Sequence, residues 1–230
     1  MALTNYDSEL GIDPMFSSTH TDVWRRLGDC GTWWTGAQRV AAMSEVRAAF
    51  NCQLCDRRSE ALSPSMVQGN HEAVSDLPQE AVDLVHRLTS DPGRLTQDWA
   101  DTVIAALGEE RYVELVIIVC TQYVIESFAS SLGLPLPELP QPGDGIPAQV
   151  RPPNVGDVGA WVSQTVDKTL ANVSRAASLV PDTEALWRDI VQCHYSRGPE
   201  FAELVWNRAL TRPQVELLAS TVSSLNECFY

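Results

Sequence analysis

Two cysteines separated by two residues, Cys52 and Cys55, are the most distinctive chemical feature of the sequence. Such a pair on one helical turn brings two sulfurs within bonding distance, and the amide dipoles at a helix N-terminus stabilise a thiolate. Arg57 and Arg58 follow directly and add positive potential. The pattern therefore favours a redox-active dithiol.

Two other interpretations of this cysteine pair stay open. The pair could be purely structural, or it could be half of a zinc site, for which Cys30 and His71 are candidate partners far away along the chain. His71 and His86 lie in turn or helix contexts, where a lone histidine is more often packed or solvated than catalytic.

A second constellation joins Glu216 to Cys228, twelve residues later. On one straight helix the two groups would lie about 18 Å apart, so they meet only if the chain turns between them. Asn226 is a plausible residue for that turn. Spacing alone favours an exposed glutamate and a free cysteine.

The two constellations belong to segments that resemble each other. Residues 35–52 and 211–228 align without gaps, and both open with Thr-x-x-Gln, the pattern of a helix capping box. Five positions coincide, and they pair Thr35 with Thr211, Gln38 with Gln214, Ser44 with Ser220, Val46 with Val222, and Cys52 with Cys228. The alignment suggests an internal repeat of a helix that leads to a cysteine.

Composition and charge exclude several classes of protein. The chain has 30 acidic and 16 basic residues and a formal net charge of −14, so it lacks the basic surface that nucleic acids or anionic membranes require. Its first residues do not form a signal peptide, and the apolar stretch 112–128 is interrupted by polar residues. We expect a cytoplasmic protein that binds neither nucleic acid nor a membrane and whose cysteines are reduced thiols, metal ligands or redox groups.

Hydrophobic periodicity predicts an all-α fold. A proline-rich segment at 134–156 is expected to link two helical parts, residues 1–133 and 157–230. The predicted helices span residues 81–88, 95–107, 112–132, 161–179, 183–195 and 201–210.

The arrangement resembles the AhpD-like superfamily of alkylhydroperoxidases and carboxymuconolactone decarboxylases. Redox members of that superfamily carry Glu, eleven residues, Cys-x-x-Cys, three residues and His on an all-helical bundle. Glu216 to Cys228 resembles the first half of that motif. In the N-terminal copy, Val40 and Ser59 occupy the glutamate and histidine positions, and Glu45, two turns before Cys52, is a candidate substitute base.

The resemblance implies a thiol- or selenol-dependent peroxidase that reduces hydroperoxides and is itself reduced by an external dithiol. It implies that Cys228 is the resolving thiol and Glu216 the base, with Cys52 and Cys55 a second exchange pair or a remnant of duplication. It also implies a homo-oligomer. We expect no cofactor and no bound metal.

The last residue, Tyr230, comes immediately before the position of the second motif cysteine. Some related proteins carry selenocysteine there, so we expect the natural product to continue through that residue to a histidine. The 230-residue chain would then have weak or no peroxidase activity. Two alternatives are a carboxymuconolactone decarboxylase-like lyase, which needs no cysteine pair, and a non-catalytic helical oligomer that binds partners.

Overall fold

The computed structural model describes residue 6 and residues 11–170, 172–195 and 209–225. The prediction of an all-α fold is confirmed, because the regular elements of these residues are helices apart from one pair of two-residue strands. The helices are α1 (Pro14–Leu27), α2 (Gly36–Ala49), α3 (Gln53–Glu60), α4 (Gln79–Ser90), α5 (Gln97–Leu107), α6 (Glu109–Ser131), α7 (Asn172–Arg175), α8 (Pro181–His194) and α9 (Arg212–Leu225). Short 3₁₀ turns span Pro64–Met66 and Pro92–Arg94.

The longest helix, α6, lies at the centre of the hydrophobic core. Helices α2, α4, α5 and α8 pack around it, and Leu115, Ile118 and Ile125 are almost completely covered. Among the described helices, α6 is the one long and apolar enough to cross a membrane, yet most of that apolar stretch is buried inside the protein. Its hydrophobicity is that of a core helix.

Helix α2 begins at the capping box that the Thr-x-x-Gln pattern predicts. The Thr35 hydroxyl accepts from the Gln38 amide at 3.2 Å, and the Gln38 side chain accepts from the Thr35 amide at 3.0 Å. Helix α9 likewise begins after Thr211, whose amide donates to the Gln214 side chain at 2.8 Å. Local capping chemistry therefore starts both of the similar segments as helices.

The segment between α6 and the small sheet has neither helix nor strand at residues 134–154. Its backbone is held to the N-terminal helices by the Trp24 indole, which donates to the Glu138 carbonyl at 2.8 Å. The Gly143 amide donates to the Gly28 carbonyl, also at 2.8 Å. Proline prevents helix formation here, and these tertiary hydrogen bonds fix the path of the chain.

Residues on both sides of this segment contribute to one hydrophobic core. Helix α8 packs against α1 and α6, and its Leu186 and Ile190 join the same buried cluster as Trp24 and Leu27. The division into parts at 1–133 and 157–230 stays a prediction.

The helix predicted over 161–179 is wrong. Strands β1 (Val155–Gly156) and β2 (Gln164–Thr165) pair antiparallel there, and helix is confined to α7. The Val166 amide donates to the Asn154 carbonyl and the Ser163 amide to the Glu109 carboxylate, so tertiary acceptors replace the helical ones. The predicted helices over 81–88, 95–107, 112–132 and 183–195 correspond to α4, α5, α6 and α8. Most of the helix predicted over 201–210 lies outside the described residues.

Candidate dithiol site

The Cys-x-x-Cys pair lies at the start of α3. Cys52 is the residue that caps the helix N-terminus, and Cys55 follows one turn later. Both thiols are free and buried. They belong to a small apolar cluster with Ala49 and Leu54 that is separate from the main core.

Two histidines from different elements face the two sulfurs. The Nδ1 atom of His71, in the loop before α4, lies 3.4 Å from the Cys52 sulfur and 3.6 Å from the Cys55 sulfur. The Nδ1 atom of His86, on α4, lies 3.4 Å from the Cys55 sulfur. The two imidazole rings have centroids 4.3 Å apart, so two thiols and two imidazoles converge in one place.

Glu45 orients one of these histidines from α2. Its Oε2 atom lies 2.9 Å from His86 Nε2, and neither side chain is exposed to solvent. The second oxygen, Oε1, accepts from the Val74 amide at 2.9 Å and from the Ser75 hydroxyl at 2.5 Å. Every oxygen of this buried carboxylate is therefore hydrogen-bonded, which satisfies the requirement for a buried polar group.

Asp83 orients the other histidine from α4. Its Oδ1 atom lies 2.9 Å from His71 Nε2 and accepts from Arg58 at 2.7 Å. Its Oδ2 atom accepts from the Trp99 indole at 2.6 Å. Asp83 and His86 are three positions apart on an amphipathic helix, so they lie on the same side of α4.

The two carboxylates determine which nitrogen of each ring faces the sulfurs. A carboxylate accepts a hydrogen bond, so the Nε2 atoms of His71 and His86 carry the protons that point to Asp83 and Glu45. In the neutral ring, Nδ1 is then an unprotonated acceptor directed at a thiol. The site thus presents two basic nitrogens to two acidic sulfurs.

This environment favours the thiolate of Cys55. Burial alone would raise its pKa, but hydrogen bonds from His71, His86 and Ser90 outweigh burial and lower the pKa to about 6. The pKa of Cys52 is also lowered, because the nearby backbone amides of Cys55 and Glu72 and the His71 ring overcome the effect of burial. Low-pKa thiols are the reactive ones in proteins.

The histidine that contacts both sulfurs has the complementary shift. Burial would lower the pKa of His71, but the Asp83 carboxylate and the two cysteines raise it to about 10. The pKa of Asp83 falls well below its usual range because His71, Arg58 and Trp99 stabilise its charge against the cost of burial. At neutral pH the arrangement therefore favours a thiolate beside an imidazolium.

The second pair of candidate residues, Glu216 and Cys228, does not contribute to the dithiol site in the described part of the structure. Glu216 on α9 accepts from the Tyr195 hydroxyl at 3.0 Å and lies 3.5 Å from the Arg212 guanidinium. Cys228 lies outside the described residues. Cys30, one candidate zinc partner, lines a cavity with Arg26, Arg39 and residues of α8.

The two histidines of the site have only a weak signal in the sequence. The role of His86 follows from the packing of α2 on α4, which brings Glu45 next to a residue 41 positions away. The available signal was the pair Asp83 and His86 on one helix face. His71 lies in a loop without regular structure, so no periodicity could point to it.

A second group of histidines and a cysteine lies between α1 and α8. His20 Nε2 is 2.7 Å from His194 Nε2, and His20 Nδ1 is 2.5 Å from the Tyr6 hydroxyl. The nearby Cys193 sulfur completes the group. The separation of the two nitrogens is that of a direct hydrogen bond, shorter than the ~3.3 Å between two ligands on a tetrahedral zinc ion. We interpret the pair as packed, neutral histidines.

No protein-family model, curated protein or solved structure matches this chain.

Proposed function

We propose that this protein is a dithiol oxidoreductase of the thiol-dependent peroxidase class, with Cys55 as the nucleophile and Cys52 as the resolving thiol. The observation that carries the proposal is the hydrogen-bonded chain from the Cys55 sulfur through the His86 ring to the Glu45 carboxylate. Enzymes commonly activate a weak nucleophile with a neighbouring base and a third group that orients the base. Cys55, His86 and Glu45 have these three positions.

The residues of this chain have complementary roles in the proposed reaction. His86 takes the proton of the Cys55 thiol, and Glu45 stabilises the positive charge that forms on the ring. The thiolate attacks the terminal oxygen of a hydroperoxide, the O–O bond breaks, and the alkoxide leaves as an alcohol after receiving the proton that His86 had taken. Cys55 is then a sulfenic acid.

The second half of the reaction needs the other cysteine. The Cys52 thiolate attacks the Cys55 sulfur, water leaves, and a disulfide forms. Two thiols and one hydroperoxide have then become one disulfide, one alcohol and one water. An external dithiol reduces the disulfide by thiol–disulfide exchange and restores the two thiols.

This proposal shifts the working site from the C-terminal motif to the N-terminal pair. Glu45 supplies the carboxylate that Val40 cannot, and His86 supplies the imidazole that Ser59 cannot. The lyase alternative leaves the buried and oriented dithiol without a role. A selenol site after Cys228 stays a separate prediction.

The shape of the site favours a small substrate. Cys52 and Cys55 are 1% and 3% exposed, so we propose that a hydroperoxide reaches the sulfurs when the loop that carries His71 moves. That loop has no helix or strand at residues 67–78, and it supplies both His71 and the donors to Glu45. Substrate entry and orientation of the base are therefore linked.

The test is hydroperoxide consumption by reduced, metal-free protein with an excess of a small dithiol as reductant. We expect turnover by the wild type and none by Cys55→Ser. In a parallel reaction without the dithiol, Cys52→Ser should consume one equivalent of hydroperoxide per chain and stop as a sulfenic acid. Cys30→Ser is the matched control and should behave as the wild type. Turnover that survives loss of Cys55, or no sulfenic acid on Cys55 in the Cys52→Ser protein, would refute the proposal.

A further inference from the structure

Two sulfur and two nitrogen atoms of the dithiol site lie close enough together to bind one metal ion. The sulfurs of Cys52 and Cys55 and one nitrogen of each of His71 and His86 all lie within 4.8 Å of one another. Zn–S bonds of about 2.3 Å and Zn–N bonds of about 2.0–2.1 Å separate sulfur and nitrogen ligands by about 3.5 Å around a tetrahedral ion. The three measured S···Nδ1 separations are 3.4, 3.6 and 3.4 Å.

From this geometry we propose that the site binds one Zn²⁺ ion through Cys52 Sγ, Cys55 Sγ, His71 Nδ1 and His86 Nδ1. The proposal departs from our sequence-based expectation of no metal. It completes the zinc half-site with His71 and with His86, not with Cys30. The set of two thiolates and two imidazoles is one that tetrahedral zinc adopts in proteins.

Hydrogen bonding between the four groups is incomplete without a cation. His71 Nδ1 faces both sulfurs but has one lone pair or one proton, so it cannot make full hydrogen bonds to both thiols at once. One divalent ion accepts electron pairs from all four atoms. It replaces the two thiol protons, so the ion, two thiolates and two neutral rings together carry no net charge.

The groups around the ligands also fit a metal centre. Zinc-bound histidines typically donate their other N–H to a carboxylate that fixes the ring, and Glu45 and Asp83 do this for both rings. Asp83 is fixed in turn by Arg58 and Trp99. Both imidazoles are therefore oriented before any ion arrives.

The ion would connect parts of the fold that share little apolar surface. Helix α3 is anchored by a small cluster around Ala49, Leu54 and the two cysteines, separate from the main core. Zinc would bind α3, the loop that carries His71, and α4 to one another. We expect bound zinc to raise the melting temperature and to prevent Cys52 and Cys55 from forming a disulfide until the ion is removed.

This inference does not depend on the peroxidase proposal. Metal binding is measured without peroxide, and peroxide consumption is measured on metal-free protein. Failure of one therefore leaves the other standing.

The first test is direct metal binding to the wild-type chain. Reduced metal-free protein is titrated with Zn²⁺ against a chelator of known affinity, and with Co²⁺ while the visible spectrum is recorded. We expect one ion per chain, an intense spectrum typical of tetrahedral Co²⁺ with thiolate ligands, and Zn²⁺ protection of Cys52 and Cys55 from alkylation. Weak octahedral Co²⁺ absorption, or Zn²⁺ that protects neither cysteine, would overturn the proposal.

The second test compares the loss of a zinc ligand with the loss of a residue that only orients a ligand. Cys55→Ser should lower zinc affinity more than 100-fold, and Asp83→Asn, which alters a support of His71, by about 10–100-fold. The controls Cys30→Ser and Asp101→Asn, the latter an exposed position on α5, should leave affinity unchanged. Circular dichroism checks that each variant is folded. Equal affinity in folded Cys55→Ser and wild type would also overturn the proposal.

Discussion

Glu45 and His86 form a buried contact of 2.9 Å between helices α2 and α4, with neither side chain exposed to solvent. The contact is set by helix packing, because α2 and α4 lie against each other along much of their length. A carboxylate fixed in this way keeps the His86 ring turned toward Cys55. The surroundings of a cysteine on α3 are therefore determined by the packing of two other helices.

Replacement of Glu45 by glutamine tests whether the Glu45 carboxylate activates Cys55 through His86. Glu45→Gln keeps the shape of the side chain but removes the charge that stabilises a protonated His86, so we expect the rate of peroxide reduction to fall about 100-fold. The measurement is the rate at which peroxide forms the disulfide in metal-free wild type and Glu45→Gln protein, compared at several pH values.

The matched control for this variant is Glu60→Gln, at an exposed position on α3. It should leave the rate and the pH profile unchanged. A Glu45→Gln protein that is folded and reacts at the wild-type rate at every pH would exclude a role for Glu45 in activating the thiol.

The pH dependence of alkylation tests the environment of Cys55. Its pKa of about 6 lies below the ordinary value of 9.0, so its thiolate is present above pH 6 and is lost as the pH falls through 6. We expect the alkylation rate of metal-free protein to reach half its plateau near pH 6.

Cys120 is the internal control, because burial raises its pKa to about 11. It should remain unreacted over the range in which Cys55 titrates, as peptide mapping after alkylation will show. A midpoint near pH 9 for Cys55 would mean that the two imidazoles do not stabilise its thiolate.

The histidine pair between α1 and α8 predicts a loss of stability in acid. Burial, and then the repulsion that two protonated rings would have for each other at His20 and His194, lower the pKa of His20 from 6.5 to about 3. A histidine with a depressed pKa stabilises the fold above its unfolded pKa, and this contribution is lost as the pH falls from 6.5 toward 3.

For this shift, we expect His20 to account for a loss of about 2 kcal/mol in the free energy of unfolding between pH 7 and pH 5. Urea unfolding of the wild type and of His20→Gln at both pH values measures it. The variant should lose less stability than the wild type over this interval, and equal losses would contradict the neutral, buried state of His20.

Gly36, the first residue of α2, tests the anchoring of the proline-rich segment. A Cβ atom there would lie 2.4 Å from the Gly143 carbonyl oxygen and 2.5 Å from that of Gly28. Both contacts are with backbone, so relief requires the chain to move. We expect Gly36→Ala to lower the free energy of unfolding by at least about 2 kcal/mol.

Gly156→Ala is the control for this substitution, since its Cβ would meet Val166 at an ordinary 3.6 Å. It should change stability by less than about 0.5 kcal/mol in the same urea titration. If the two alanine variants were equally stable, the proline-rich segment would not be held against α1 and α2 as described.

Local sequence signals predicted those parts of the fold that local chemistry determines. Helix α2 begins after the capping box at Thr35 as expected, and α6 ends at Ser131, one residue before the end of the helix predicted over 112–132. The helix prediction for the segment from Trp161 to Leu179 was wrong because amides of this segment donate to distant acceptors. Hydrophobic periodicity does not reveal such contacts.

The candidate site divides in the same way. Cys52 and Cys55 could be found from their spacing, and Glu45 from its place before them. His71 could be named only as a distant candidate zinc partner, and the roles of His86 and Asp83 could not be predicted, because their contacts join α4 and a loop to α3 across the fold. Long-range packing, not local pattern, brings the bases to the thiols.

The most direct test of the account is to treat reduced, metal-free protein with one equivalent of an organic hydroperoxide and to map the disulfides by mass spectrometry. We predict a single new bond between Cys52 and Cys55, formed in the wild type and in Cys30→Ser but slowed about 100-fold in Glu45→Gln. Cysteines that stay reduced, or a disulfide that joins other positions, would contradict the assignment of this centre as a peroxide-reactive dithiol.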